Sequence, residues 1–257
     1  MVALDALMLA AHANAYLAGN RFGLADNYWY PTVATLQARL GLSIVANEPI
    51  VWFQNLGERG YLRAGIFVSD GIRARDIRLV GIAGFQYWGI ETASSESSTL
   101  WFHSSIGSRR DEANPPKVYL AGYPRPPDWP GLGENAEDAE RDLRAILLRM
   151  SDFDRNKGRG WFHPLAEHAL RELDGHRPFD PVIEGLFPDG VYPESSYRLA
   201  TAVWHVFTGE GFGSWWDQGY KDPETNREFR EMSGSYNLAM HAAICAACNV
   251  DLLCKGP

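Results

Sequence analysis

Three short stretches of this chain carry side chains of the types that hold metals or move protons. The first is His163-Pro164-Leu165-Ala166-Glu167-His168. Zinc proteases place two histidines four residues apart on one helix face, with a glutamate between them as base. Here the histidines are five apart, about 140° round a helix of 3.6 residues per turn. The sequence therefore predicts that His163 caps a helix, with Pro164 in its first turn, and that Glu167 pairs with Arg171. A single-metal site that uses His163 or His168 with distant ligands stays open. The second stretch is His241, Cys245 and Cys248, which share one helix face. Imidazole and two thiolates suit zinc or redox chemistry. The helix is alanine-rich, however, and a free cysteine packs as a small hydrophobe. Buried, reduced and metal-free thiols are expected.

The third stretch, Asp152-Phe153-Asp154-Arg155-Asn156-Lys157-Gly158, opens like a calcium loop. Its sixth position is Lys157 where a glycine makes the sharp turn, and its twelfth is His163 where a bidentate glutamate belongs. A polar turn between helices is expected. Gly131-Leu132-Gly133-Glu134-Asn135-Ala136 fits a dinucleotide fingerprint only in letters. A proline-rich loop precedes it instead of a strand, and its acidic residues would face the phosphates. No metal and no cofactor are expected from these patterns.

The segment from Gly209 to Pro223 is glycine-rich and then aromatic: Trp215, Trp216, Asp217, Gln218, Gly219 and Tyr220. Two adjacent tryptophans in such a loop must be buried against the fold, a ligand or a partner. Together with Trp101 they are candidates to line a cleft. His103, two residues on from Trp101, is the candidate catalytic acid–base group, paired with a carboxylate. This gives the first functional expectation: an enzyme that acts on a small neutral or polar substrate by acid–base chemistry, with His103 as catalyst and Trp101, Trp215, Trp216 and Asp217 as binding residues. The rival expectation is a non-catalytic, acidic module that binds a basic protein, in the manner of an inhibitor or immunity protein. The chain has nine tryptophans, and Trp and Tyr are frequent interface anchors. Serine-hydrolase, kinase and phosphate-loop signatures are absent or broken.

The elements that would position these residues follow from pattern. With 257 residues, 24 Lys plus Arg and 32 Asp plus Glu, the net charge is −8. That sign repels phosphate backbones and anionic lipid, so neither nucleic acid nor membrane is an expected partner. The arginines Arg73, Arg75 and Arg78 read as a solvated strand edge offset by Asp70 and Asp76. The three cysteines lie close together near residue 250, an odd clustered set that fits a reducing, cytoplasmic compartment better than a disulfide scaffold. Residues 2–18 are rich in Ala and Leu but hold Asp5, His12 and Asn14. An amphipathic helix is expected there rather than a secretory leader.

A second helix is predicted at 31–40. Strands are predicted at 49–54 and 61–68 as a hairpin, at 77–88 with close backbone contact at Gly81, Gly84 or Gly89, and at 100–104 and 117–123. Thr92 to Thr99 reads as an exposed loop. The proline-rich stretch at 124–130 is the only candidate boundary. Beyond it Asn135 is placed to cap a helix, and further helices are predicted near 164–174, 194–208 and 235–250. Strands first and helices second make an α+β chain. It is expected to form a single domain over residues 1–257, with the β-rich half at about 49–123 packed against the helical half at about 135–250.

Overall fold

The structure is a computed structural model that describes residues 2–20, 33–69, 87–106, 117–126, 135–175, 183, 185–207, 215 and 218–252. Among these residues the order is α1 (Val2–Leu17), β1 (Leu36–Leu40), β2 (Ser43–Ala46), α2 (Pro49–Glu58), β3 (Arg63–Ser69), β4 (Tyr87–Ala93), β5 (Ser98–Ile106), β6 (Lys117–Pro124), α3 (Ala136–Asn156), α4 (Phe162–Leu173), α5 (Glu194–Phe207) and α6 (Pro223–Cys248). The strands lie in the first half and most of the helices in the second, so the chain is α+β. No helix of the described residues is long and apolar enough to cross a membrane. The chain separates into two compact units. One comprises residues 1–133, 184–192 and 248–257, and the other residues 134–183 and 193–247.

The first unit is built on a mixed six-stranded sheet in the order β2-β1-β6-β5-β4-β3. The pairs from β3 to β6 are antiparallel, β1 runs parallel to β6, and β2 folds back on β1. Gly41, with φ of 58°, makes the tight β1–β2 turn that a side chain would strain. Helix α1 lies against β3, β4, β5 and α2. It is not amphipathic as its polar residues suggest: every residue from 5 to 15 is buried. Small alanines let neighbours approach from all sides, and the polar side chain of Asn14 finds partners inside. Asn14 accepts the Ala64 N–H at 3.2 Å and donates to the Val250 carbonyl at 3.0 Å. Asn249 accepts the Ile66 N–H at 2.7 Å and donates back to the Ile66 carbonyl at 3.0 Å. The two asparagines thus occupy the open hydrogen-bonding edge of β3, the place where a sheet is otherwise prone to pair with another chain.

Several sequence expectations need correction here. Residues 36–40 form strand β1 and not the end of a helix, because Leu36 and Ala38 alternate inward. Residues 49–54 begin helix α2 rather than a hairpin strand. Pro49 suits a first helical turn, and Trp52, Phe53 and Leu56 bury one helical face. Short apolar runs do not by themselves separate helix from strand. The loop expected over 92–99 shrinks to Ser94–Ser97, where the Ser94 hydroxyl accepts the Ser97 N–H at 3.0 Å. Residues 77–86 and the arginine trio lie outside the described residues. Gly89 does make the expected close contact, since a side chain there would meet the ring of Phe67.

The second unit is helical. Asn135 caps α3 as expected, its side chain accepting the Glu137 N–H at 3.0 Å. Ala139, Leu143, Ile146, Leu147 and Met150 form its buried face. Helices α3, α4 and α5 pack on one another. The predicted pair Glu194–Arg198 is present on α5. Helix α6 begins at Pro223, a full twelve residues before the expected start.

Candidate functional site

His103 and Trp101 stand on β5, two residues apart and therefore on one face of the sheet. Both are buried. The Trp101 indole donates to the Thr92 hydroxyl at 2.9 Å, and its ring meets Trp52 edge-on at 5.5 Å. Neither ring nitrogen of His103 has a hydrogen-bond partner among the described residues. Burial lowers its pKa from 6.5 to about 4, so the imidazole is neutral near pH 7. Glu91, on the neighbouring strand, is ion-paired with Arg125 at 3.0 Å. Burial raises its pKa, and Arg125 opposes that shift.

Trp215 belongs to the helical unit and is buried. Its indole donates to the Ser233 hydroxyl at 2.7 Å. Its ring sits 4.9 Å from Phe162 and 5.0 Å from Phe229. It packs as the centre of an aromatic cluster that Phe153 and Tyr220 complete. Trp216 and Asp217 lie outside the described residues.

The calcium-like stretch has a structural purpose. Asp154 is fully buried, and its carboxylate accepts the backbone N–H groups of Arg159, Gly160, Phe162 and His163 at 2.7–3.2 Å. Its two oxygens thereby fix the α3–α4 turn and satisfy the first N–H groups of α4, which a helix start leaves without partners. The cap of α4 is thus Asp154 and not His163. Glu167 pairs with Arg155 at 2.6 Å and not with Arg171. On α6, Cys245 and Cys248 are buried. Burial pushes the Cys248 thiol up to about 12 and lowers His241 to about 4. These three residues do not converge into a metal-sized group.

One group of the described residues does converge: His168, Glu172 and His205. His168 and Glu172 are four apart on α4 and share a face, and His205 comes from the last turn of α5. The Glu172 Oε1 lies 3.3 Å from Nε2 of His168 and 3.7 Å from Nε2 of His205. The two imidazole rings are 4.0 Å apart between centroids, tilted by 40°. The Glu172 side chain is 4% exposed, while His168 and His205 are 28% and 20% exposed. A buried carboxylate therefore sits behind two imidazoles that solvent can reach. All the candidate ligand atoms fall within 4.8 Å of one another.

The sequence singled out His168 but tested it against His163 and Glu167, the wrong neighbours. The usable signal was His168 with Glu172 at i,i+4. Nothing local points to His205. No protein family, curated protein or solved structure significantly matches this chain.

Proposed function

We propose that this protein is an enzyme that acts on a small polar substrate by acid–base chemistry, and that its reacting centre is the His168–Glu172–His205 group. One observation carries the reading: a buried carboxylate within 3.7 Å of two partly exposed imidazole nitrogens. Imidazole is the side chain whose ordinary proton affinity lies nearest neutral pH. A carboxylate behind it fixes the orientation of the ring, the division of labour seen wherever an acid orients a base. Partial exposure supplies the access that a base needs to reach its substrate. His103 lacks that access, being buried and held neutral.

The rival reading, an acidic module for a basic protein, draws on exposed aromatic anchors. Trp52, Trp88, Trp101 and Trp215 are all buried, and Trp161 and Trp204 are half-buried, so the described surface does not favour it.

The test is a panel of small esters, amides and phosphoesters presented to the full chain, with product measured directly. The reading expects turnover that falls at least about 100-fold in both Glu172→Gln and His205→Gln, within the usual range for an acid–base group. Turnover that survives both changes but is lost in His103→Gln would move the chemistry to β5.

A further inference from the structure

We infer that His168, Glu172 and His205 bind one zinc ion, which makes the proposed acid–base centre a single-metal centre. This rests on the same site as the functional reading and goes beyond it: with the ion bound, the two imidazoles and Glu172 would serve as ligands and the proton-transfer role would pass to a zinc-held water.

The distances bear on two ways of joining these groups. A direct N–H···O hydrogen bond between imidazole and carboxylate spans about 2.7–3.2 Å. The observed separations from Glu172 Oε1 are longer, 3.3 Å and 3.7 Å. Zinc bonds to imidazole nitrogen and carboxylate oxygen are about 2.0–2.2 Å. Two such bonds at the tetrahedral angle put their ligand atoms about 3.4 Å apart. Right-angled octahedral coordination at the same bond lengths would put them only about 3.0 Å apart. The two separations from Glu172 thus bracket the length of a tetrahedral edge.

The donor types agree with the spacing. Two imidazoles and one carboxylate are a suitable set for zinc, and three protein ligands leave a fourth position open. The exposures place that opening: Glu172 closes the buried side and the two histidines border solvent. Water in the open position would have its pKa lowered by the cation, so hydroxide is available near neutral pH for a hydrolytic or proton-transfer step. The ligands come from two helices that pack on each other, α4 and α5. Such a frame holds ligand positions more firmly than loops would.

The test uses the full chain, stripped with chelator and titrated with zinc by calorimetry, with far-UV circular dichroism to show that each variant is folded. One equivalent should bind the wild type. His168→Gln and His205→Gln, which keep a polar side chain of similar size, should each weaken binding at least 100-fold, and Cys245→Ala should bind like the wild type. A folded wild type without stoichiometric zinc binding overturns the inference. So does binding that persists in both histidine variants or disappears in Cys245→Ala. Failure here is distinct from failure of the functional reading. Turnover in chelator that Glu172→Gln abolishes would sink the metal and keep the enzyme, whereas one bound zinc with no turnover on any substrate would keep the metal and count against the enzyme.

Discussion

Asn14 on α1 donates from its side chain to the hydroxyl of Tyr192 at 3.3 Å, joining positions 178 residues apart. That hydroxyl also lies 3.2 Å from the Ala11 carbonyl and 3.4 Å from the Cys248 carbonyl. Asn249 completes the edge of β3. The sheet unit is therefore finished by pieces of chain that lie far beyond its strands in sequence, at 184–192 and after Cys248. Residues 1–133 alone should not unfold cooperatively, because they lack Tyr192, Asn249 and Val250 and leave buried polar groups on α1 and β3 without partners. The measurement is urea unfolding of the isolated fragment. A single steep transition would show that the sheet needs none of these later segments.

Asp154 holds four backbone N–H groups and should dominate the α3–α4 turn. Asp154→Ala is expected to cost at least about 3 kcal/mol, since hydrogen bonds to a charged acceptor each contribute about 1.5–3 kcal/mol and their loss leaves buried donors. Asp154→Asn should also be costly, because its amide turns a donor toward donors. Added calcium should change the unfolding midpoint of neither variant nor wild type. Calcium-dependent stability would restore the ion-binding reading of this loop.

These two regions show what sequence could and could not reveal. The cap at Asn135, the buried face of α3 and the Glu194–Arg198 pair depend on residues within a turn or two of each other, and local rules recover them. The run at 49–54 misleads because its apolar residues fit either period and only Pro49 favours a helix. His205 meets His168 solely because α4 and α5 pack together, and no spacing along the chain encodes that meeting. Asp154 was ambiguous for another reason: acidic side chains at alternate positions serve a cation or backbone amides equally well until the fold shows which of these surrounds them.

Trp215 is expected to act as a core anchor. Trp215→Ala should lose about 3–5 kcal/mol of stability, the usual cost of emptying a buried aromatic site. Trp215→Phe should cost less, since it keeps much of the aromatic packing and loses mainly the bond to Ser233. Denaturant unfolding of both variants is the check. A loss below about 1 kcal/mol for the alanine variant would contradict its place in the cluster.

Acid should destabilise the protein through its buried histidines. His12 and His103 are both lowered to about 4 by burial, from 6.5. Between those values the unfolded chain binds protons that the folded chain refuses, so stability is fully present above pH 6.5 and falls as pH drops toward 4. Each histidine contributes a slope approaching about 1.4 kcal/mol per pH unit in that window. Glu91, raised by burial, acts in the opposite sense above its usual range and offsets part of the effect. Urea midpoints at pH 7, 6 and 5 should fall, and His103→Leu should flatten the fall by about one proton. An unchanged slope in that variant would mean that His103 is not held neutral in the folded state.

His168, Glu172 and His205 are proposed to share one metal ion. X-ray absorption at the zinc edge, on the full chain loaded with one equivalent of zinc, reads these ligands out. A first shell of nitrogen and oxygen alone at about 2.0–2.2 Å is expected, with outer-shell scattering from two imidazole rings. A sulfur shell at about 2.3 Å would place the metal on cysteine instead, and a shell without two imidazoles would remove it from this site.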